Sequence, residues 1–195
     1  MWITGWLLLL GTAGILFMEY NNPLTLGPMN LFDKITNAAF QSVSARTAGY
    51  NSIPLGDMTN FTKIFMSLLM FIGASPASTG GGIKTTTFFV LMQQVRSIFS
   101  KRRLGAFHRR LPDGSLAKAA TITLMGLIVV SCGTFALCIL EPETDFLRLL
   151  FEQVSAYSTA GLSTGITAGL RAGSKAVLIF TMFIGRVGAV TLLSL

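Results

Sequence analysis

Charged residues are scarce in this 195-residue sequence: Asp, Glu, Lys and Arg together make up 12% of the chain. Soluble domains carry about 25% charged residues, so the composition argues against an ordinary soluble protein. The only two cysteines, Cys132 and Cys138, lie in one apolar run without a metal-ligand spacing, and small apolar packing residues explain them best. Since hydrophobic residues make up 51% of the chain, we expect a membrane protein.

Acidic residues are scarcer than basic ones, 8 against 15, which gives a net charge of +7. Much of the basic excess lies in residues 93–118, between two apolar segments. Glu19 and Glu141 each follow an apolar run, in segments that should lie on the opposite side of the membrane. The positive-inside rule therefore predicts a multi-pass protein of the cell membrane with residues 93–118 in the cytoplasm. The basic tract contacts lipid headgroups or docks a cytoplasmic partner, and we expect no nucleic-acid partner.

The chain contains an internal repeat. Thr47-Ala48-Gly49 recurs 112 residues later as Thr159-Ala160-Gly161, and Met70-Phe71-Ile72-Gly73 recurs at the same offset as Met182-Phe183-Ile184-Gly185. Such self-similarity indicates a duplicated structural unit. We predict a first pore repeat over residues 1–92, the basic linker 93–118, and a second pore repeat over residues 119–195.

Each repeat divides into four parts. They are an apolar helix (3–18 and 121–140), a half-length segment (31–44 and 145–156), a polar loop (loop 1, 45–53, and loop 2, 157–165) and a second apolar segment (60–92 and 176–195). The half-length segments are too short to cross about 30 Å of hydrocarbon. Re-entrant backbone survives there only when it is packed in protein or lines a watery cavity. The pattern predicts an all-α membrane protein built from helix, pore helix, filter loop and helix.

The two loops have the composition of a cation filter. Glycine permits the unusual dihedral angles that align successive carbonyl groups, and such carbonyls replace the water shell of a dehydrated cation. Thr47-Ala48-Gly49-Tyr50 differs at one position from the Thr-Val-Gly-Tyr of potassium-channel filters. The alternative is an ordinary glycine turn at a helix end, with no role in ion binding. The predicted K⁺ ligands are the carbonyls of Thr47, Ala48, Gly49, Tyr50, Thr159, Ala160, Gly161 and Leu162, with K⁺ as the transported ion and no covalently bound cofactor.

A stretch rich in glycine interrupts the second apolar segment of the first repeat, and the second repeat has no equivalent. Proline and consecutive glycines break helices. We therefore predict a movable gate beneath the filter, formed by Gly73, Ala74, Ser75, Pro76, Ser78, Thr79, Gly80, Gly81 and Gly82, with Lys84 near the cytoplasmic mouth. A nucleotide-binding P-loop would need glycine directly before this lysine, but Ile83 intervenes.

Arg186 lies in the last apolar segment, about 15 Å from its start at ~1.5 Å per residue. An arginine at such depth is a functional candidate. We expect an electrostatic barrier in the pathway or a latch for the gate, with a structural ion pair as the alternative.

The sequence resembles the Trk/Ktr/HKT superfamily of potassium transporters, and within it most closely the bacterial Ktr/Trk membrane subunit. The resemblance is carried by residues 40–51, 70–87 and 182–188. Members of this superfamily have four such repeats in one polypeptide. The resemblance implies that Gly49 and Gly161 are the filter glycines of the third and fourth repeats. It also implies that residues 73–84 are the gating loop, that Arg186 lies below the filter, and that the protein is a homodimer regulated by a cytoplasmic nucleotide-binding ring.

The expected function is therefore passive potassium uptake without covalent chemistry. Because only two repeats are present, either this chain is the C-terminal half of a longer transporter, or two copies must close one pore, as in a homo-oligomeric potassium channel with two loops per chain. We favour the fragment, since the two repeats differ at the gate. A membrane-anchored nucleotide-binding enzyme is the alternative from another class.

Overall fold

The computed structural model describes residues 2–73, 75, 80–100, 105–106, 109–110 and 114–188. Nearly all of the regular structure in these residues is helical. The elements are α1 (Trp2–Glu19), α2 (Leu31–Ser44), α3 (Asn60–Phe71), α4 (Thr85–Ser100), β1 (Gly105–Ala106), β2 (Arg109–Arg110), α5 (Ser115–Leu140), α6 (Phe146–Ser158) and α7 (Ala172–Val187). The two short strands pair antiparallel with each other. Single 3-10 turns precede α3 and α7.

The helices pack as two similar groups. In the first repeat α1 packs against α2 and α3, and in the second α5 packs against α6 and α7. The groups meet where α3 contacts α6, and α4 packs against α5. Apolar side chains of both repeats share one core, which includes Ile15, Met66, Met70, Val130 and Phe151. The half-length helix α6 lies among α3, α5 and α7, whereas α2 packs against α1.

Helix length separates α5 from the other described helices. Its 26 residues are apolar and long enough to cross a membrane, and it is the single helix in the described part of the chain that meets both criteria. The helices over Ile3–Glu19 and Asn60–Phe71 are apolar but shorter.

Several helix ends differ from the sequence-based bounds. α2 matches its predicted range, whereas α5 begins at Ser115, six residues before the predicted start. The predicted helix over residues 176–195 was wrong at both ends, since α7 begins at Ala172 and ends at Val187. Gly188 follows with a φ of +88°, a conformation that stops a helix at little cost for glycine. Residues 189–195 lie outside the described residues.

The second apolar segment of the first repeat is two helices. α3 ends at Phe71 and α4 begins at Thr85, and α4 then continues through Ser100. Helical residues therefore form both ends of the segment 93–118 that the charge pattern assigns to the linker.

Candidate functional site

The two loops that repeat in the sequence lie against each other in the fold. A Cβ atom at Gly161 would lie 3.2 Å from the Cα atom of Gly49, and a Cβ atom at Gly49 would lie 3.0 Å from the carbonyl oxygen of Ala160. Only glycine permits this approach of backbone to backbone. The tertiary structure therefore brings together the predicted filter residues of both loops.

The loops also share an unusual backbone conformation. Gly49 and Gly161 have φ values of +79° and +82°, and Thr47 and Thr159 have φ values of +69° and +52°. A β-branched residue rarely adopts a positive φ, which costs roughly 1–3 kcal/mol. Such strain persists only where the surrounding structure enforces it, and it is concentrated at functional sites. Finding it at equivalent positions of both repeats marks these loops as the candidate site.

Each loop follows directly after a half-length helix. α2 ends at Ser44, next to loop 1, and α6 ends at Ser158, within loop 2. The last carbonyls of a helix carry a partial negative charge, which favours a cation near this end. The described residues contain no group of three His, Cys, Asp or Glu side chains able to hold a metal ion. Backbone carbonyls and hydroxyls are thus the oxygen ligands that these loops offer.

Different side chains hold the two loops. In loop 1 the Ser44 hydroxyl donates a hydrogen bond to the carbonyl oxygen of Tyr50. In loop 2 the buried carboxylate of Glu152 accepts hydrogen bonds from the Thr164 backbone N–H (2.8 Å) and from the hydroxyls of Ser163 (2.6 Å) and Thr167 (2.8 Å). Glu152 therefore anchors the C-terminal part of loop 2 to α6, the half-length helix that precedes the loop.

The position equivalent to Glu152 in the first repeat is Gln41, which is fully buried. Neither polar atom of its side-chain amide has a hydrogen-bond partner in the described part of the chain. Sequence reasoning missed both residues. The signal was available, because residues 40–45 (FQSVSA) and 151–156 (FEQVSA) share four of six residues, and Gln41 and Glu152 are the second residue of each.

Two further carboxylates tie helix ends together. Glu19, at the end of α1, accepts hydrogen bonds from the backbone N–H of Thr59 (2.9 Å) and from the Thr62 hydroxyl at the start of α3. Glu141, just after α5, accepts them from the Arg171 backbone N–H (2.7 Å) and the Ser174 hydroxyl (2.8 Å) at the start of α7. These bonds hold the pKa of Glu141 below its ordinary value, the backbone N–H of Arg171 having the largest effect. The same cap occurs in each repeat, and sequence reasoning missed it.

The chain enters and leaves the glycine segment, residues 73–84, at nearly the same place. Ile72 and Ile83 form a parallel bridge, and the Ile83 N–H donates to the Phe71 carbonyl (3.1 Å). The Lys84 ammonium group donates to the Gly80 carbonyl (2.8 Å). Of the predicted gate residues, the structure describes Gly73, Ser75, Gly80, Gly81, Gly82 and Lys84, whereas Ala74, Pro76, Ser78 and Thr79 lie outside the described residues.

The glycine segment touches loop 2. The Gly81 backbone N–H donates to the Thr159 hydroxyl oxygen (2.8 Å). A Cβ atom at Gly81 would lie 2.9 Å from the carbonyl oxygen of Gly185, and one at Gly82 would lie 3.3 Å from the Cβ atom of Ser158. Predicted gate and predicted filter are therefore in direct contact.

Arg186 lies in the last turn of α7, directly after the glycine that contacts this segment. Its side chain is exposed. No carboxylate in the described ranges pairs with Arg186, so the alternative of a structural ion pair has no support there. The role of Arg186 in the pathway stays a prediction.

In a comparison with known protein families, residues 2–195 match the TrkH family, whose description is cation transport protein. The chain belongs to the TrkH family. Among curated relatives, the Ktr system potassium uptake protein B of Bacillus subtilis is 41% identical over 97% of this chain and 43% of its own length. The potassium/sodium uptake protein NtpJ of Enterococcus hirae is 36% identical over 95% of this chain and 42% of its own length. The chain thus spans about two fifths of the length of these relatives.

The crystal structure of the potassium transporter TrkH from Vibrio parahaemolyticus matches the fold with a TM-score of 0.75 at 22% identity. The match covers 99% of this chain and 42% of that chain. This likeness confirms the predicted all-α membrane fold of pore-helix repeats. Because the TrkH family consists of transport proteins, the prediction that the chain is not an enzyme is also confirmed.

Proposed function

We propose that this chain forms two of four pore repeats in a potassium uptake transporter of the cell membrane. Potassium passes down its electrochemical gradient through a filter lined by the carbonyls of loop 1, loop 2 and the corresponding loops of two further repeats. The observation that carries the proposal is the contact of Gly49 with loop 2, with left-handed glycine and threonine at equivalent positions of both loops. Of the two relatives compared above, one is named a potassium uptake protein and the other a potassium/sodium uptake protein, which supports the choice of ion.

The exposure of the loops supports a filter that needs further chains or repeats. Ala48 and Gly161 are exposed, and the Tyr50 side chain is 72% exposed. A cavity of about 320 Å³ opens beside loop 2, lined by Glu152, Thr159 and Met182, among others. A cation stripped of water needs oxygen ligands on all sides, so two loops form only part of a ring.

In the same proposal, the glycine segment and Arg186 form the gate. The linker over residues 93–118 faces the cytoplasm and docks a nucleotide-binding regulatory ring, and the transporter is a homodimer. The excess of basic residues in the linker supports its cytoplasmic position.

The filter assignment is tested by Gly49→Ser and Gly161→Ser in the full-length transporter. A side chain at these φ values adds roughly 1–2 kcal/mol of strain and meets the opposite loop. We expect the ratio of potassium to sodium uptake to fall by about tenfold, since each ~1.4 kcal/mol corresponds to one order of magnitude. The matched control is Gly114→Ser, where φ is +84° but a Cβ atom has no neighbour within 4 Å. An unchanged ratio of potassium to sodium uptake in both filter variants would contradict the filter assignment.

The number of repeats per chain is tested separately, by reading the gene upstream of the Met1 codon in the same frame. Two more helix–loop–helix repeats, each with a filter glycine, would support the four-repeat transporter. A stop codon just upstream of Met1 would instead favour the potassium channel assembled from two-loop subunits.

A further inference from the structure

A polar cavity lies between the two repeats, where α3 and α6 begin. Its volume is about 500 Å³, within the range of ligand pockets, roughly 300–1,000 Å³. Within the described part of the chain, no ion pair joins the charged side chains of its wall. The wall includes two cations (Lys63 and Arg148), two carboxylates (Glu143 and Asp145) and two uncharged polar side chains (Asn60 and Thr144).

Lys63 lines this cavity without a partner. The residue is 5% exposed, and its ammonium group has no hydrogen-bond acceptor among the described residues. Its equivalent in the second repeat is Lys175, 112 residues further along the chain, which donates to the carbonyl oxygen of Ala168 (3.0 Å). A buried cation without a partner is costly. The cavity therefore contains an ammonium group that an anionic ligand would stabilise.

The charges of the wall are ordered by burial. Lys63 is buried and Arg148, in the first turn of α6, is half-buried, whereas Glu143 and Asp145 are exposed. The first N–H groups of α6 add a partial positive charge near Arg148. The wall thus suits a ligand with an anionic group on the inside and a cationic group at the rim.

The position of α5 sets the level of the cavity in the membrane. This helix is long enough to cross a membrane, and it begins beside the basic linker. Glu143 and Asp145 follow shortly after its other end, so the cavity lies at the level of lipid headgroups on the side opposite the linker. Two apolar side chains that neighbour the wall residues, Ile64 and Phe146, are exposed and offer a surface for acyl chains.

We propose that this cavity binds the headgroup of a phospholipid with a primary amine, such as phosphatidylethanolamine. Its phosphate accepts hydrogen bonds from Lys63 and Arg148, since a guanidinium group offers paired N–H donors to a phosphate. Its ammonium group donates to Asp145 or Glu143. In such a lipid the amine is the outermost group, which agrees with the exposure of the two carboxylates. The inference goes beyond the proposed function and does not depend on ion transport.

The first test removes the buried cation. The full-length transporter is purified in detergent and titrated with phosphatidylethanolamine in native mass spectrometry, and the apparent Kd of the bound lipid is measured. We expect Lys63→Met to raise this Kd by about tenfold, the effect of losing one hydrogen bond to a charged group. Lys175→Met, at the equivalent position of the second repeat, should leave it unchanged. If Lys63→Met does not fold, Arg148→Gln is expected to have the same effect.

The second test concerns the amine. Phosphatidylcholine has the same phosphate, but its quaternary ammonium group cannot donate a hydrogen bond, so the wild type should bind it several-fold more weakly. Asp145→Asn keeps a residue that is favoured at a helix N-cap and removes the charge. This variant should lose much of the preference for phosphatidylethanolamine over phosphatidylcholine, with little change in the Kd of phosphatidylcholine.

A third arm distinguishes a lipid from a soluble ligand. Phosphoethanolamine has the same headgroup without acyl chains and should not displace the lipid. Displacement would overturn the lipid assignment and assign the cavity to a soluble phosphate ester. Equal Kd values for the wild type, Lys63→Met and Arg148→Gln would overturn the site itself. Ion uptake enters none of these measurements, so a failure of the proposed function would leave them unaffected.

Discussion

The same four residues, Met-Phe-Ile-Gly, end a helix in the first repeat and continue one in the second. α3 stops at Phe71 within this motif, whereas α7 runs through its copy to Val187. The motif itself is therefore not what ends α3. The following residues differ, because Gly73 leads into a segment with proline and three consecutive glycines, and Gly185 leads into Arg186 and Val187.

The motif glycine allows a close backbone approach in both repeats, but the partner differs. A Cβ atom at Gly185 would collide with the Tyr157 carbonyl of loop 2, and one at Gly73 would collide with the Gly81 carbonyl of the glycine segment. In the first repeat, Gly73 thus packs against the glycine segment. Its equivalent in the second repeat, Gly185, packs against loop 2. Equivalent glycines of the two repeats therefore support different neighbours, loop 2 in one case and the glycine segment in the other.

The sharpest test of this comparison is Gly185→Ala. The new methyl group would meet a backbone carbonyl that cannot move without shifting loop 2, so we expect the free energy of unfolding to fall by about 3 kcal/mol. The measurement is denaturant unfolding of the full-length protein in detergent. Gly173→Ala in the same helix is the control, because its Cβ would make an ordinary contact at 3.6 Å with Leu140.

The control should be neutral or more stable by roughly 0.5–1 kcal/mol, the advantage of alanine over glycine in a helix. Equal effects of the two substitutions would mean that Gly185 does not support loop 2.

A second comparison concerns Glu152 and Gln41. Glu152→Met removes the acceptor for a buried backbone N–H and several hydroxyls, so we expect a loss of about 2 kcal/mol in the free energy of unfolding. Gln41→Met should change it by less than about 1 kcal/mol, because the amide it removes has no partner in the described ranges. Thermal unfolding of both variants in the same lipid measures the difference. A larger loss for Gln41→Met would show that a group outside these residues binds the amide.

The smallest effect is expected at Glu141. Its pKa is lowered in the folded protein, so the carboxylate contributes stability above the ordinary value of 4.5. That contribution is lost as the pH falls through the lowered pKa. Glu141→Gln should therefore lower the melting temperature slightly at neutral pH, and the difference from the wild type should vanish in acid. Melting curves across this range measure the effect, with Glu143→Gln, two residues along the same connection between α5 and α6, as the control. A difference that persists in acid would contradict the assignment.

Much of the helical plan could be predicted from local pattern. The half-length helix α2 occupies the predicted residues 31–44, and α6 lies within two residues of its predicted range. Apolar periodicity, polar loops and glycine content are properties of neighbouring residues, so a sequence contains them directly. The end of α7 was misjudged because an apolar run continues beyond Gly188, and a single glycine with positive φ outweighs that run.

The interactions at the site join residues that are far apart along the chain, so no local sequence pattern contains them. The duplication by itself indicated two equivalent loops, each after a half-length helix, and the glycines they share. Packing alone decided that Gly81 would meet Thr159 and not Thr47, and that Glu152 would find partners among the described residues while Gln41 would find none there. The reason is that a hydrogen bond is directional and short, so equivalent residues acquire different partners once two copies of one motif pack in different surroundings.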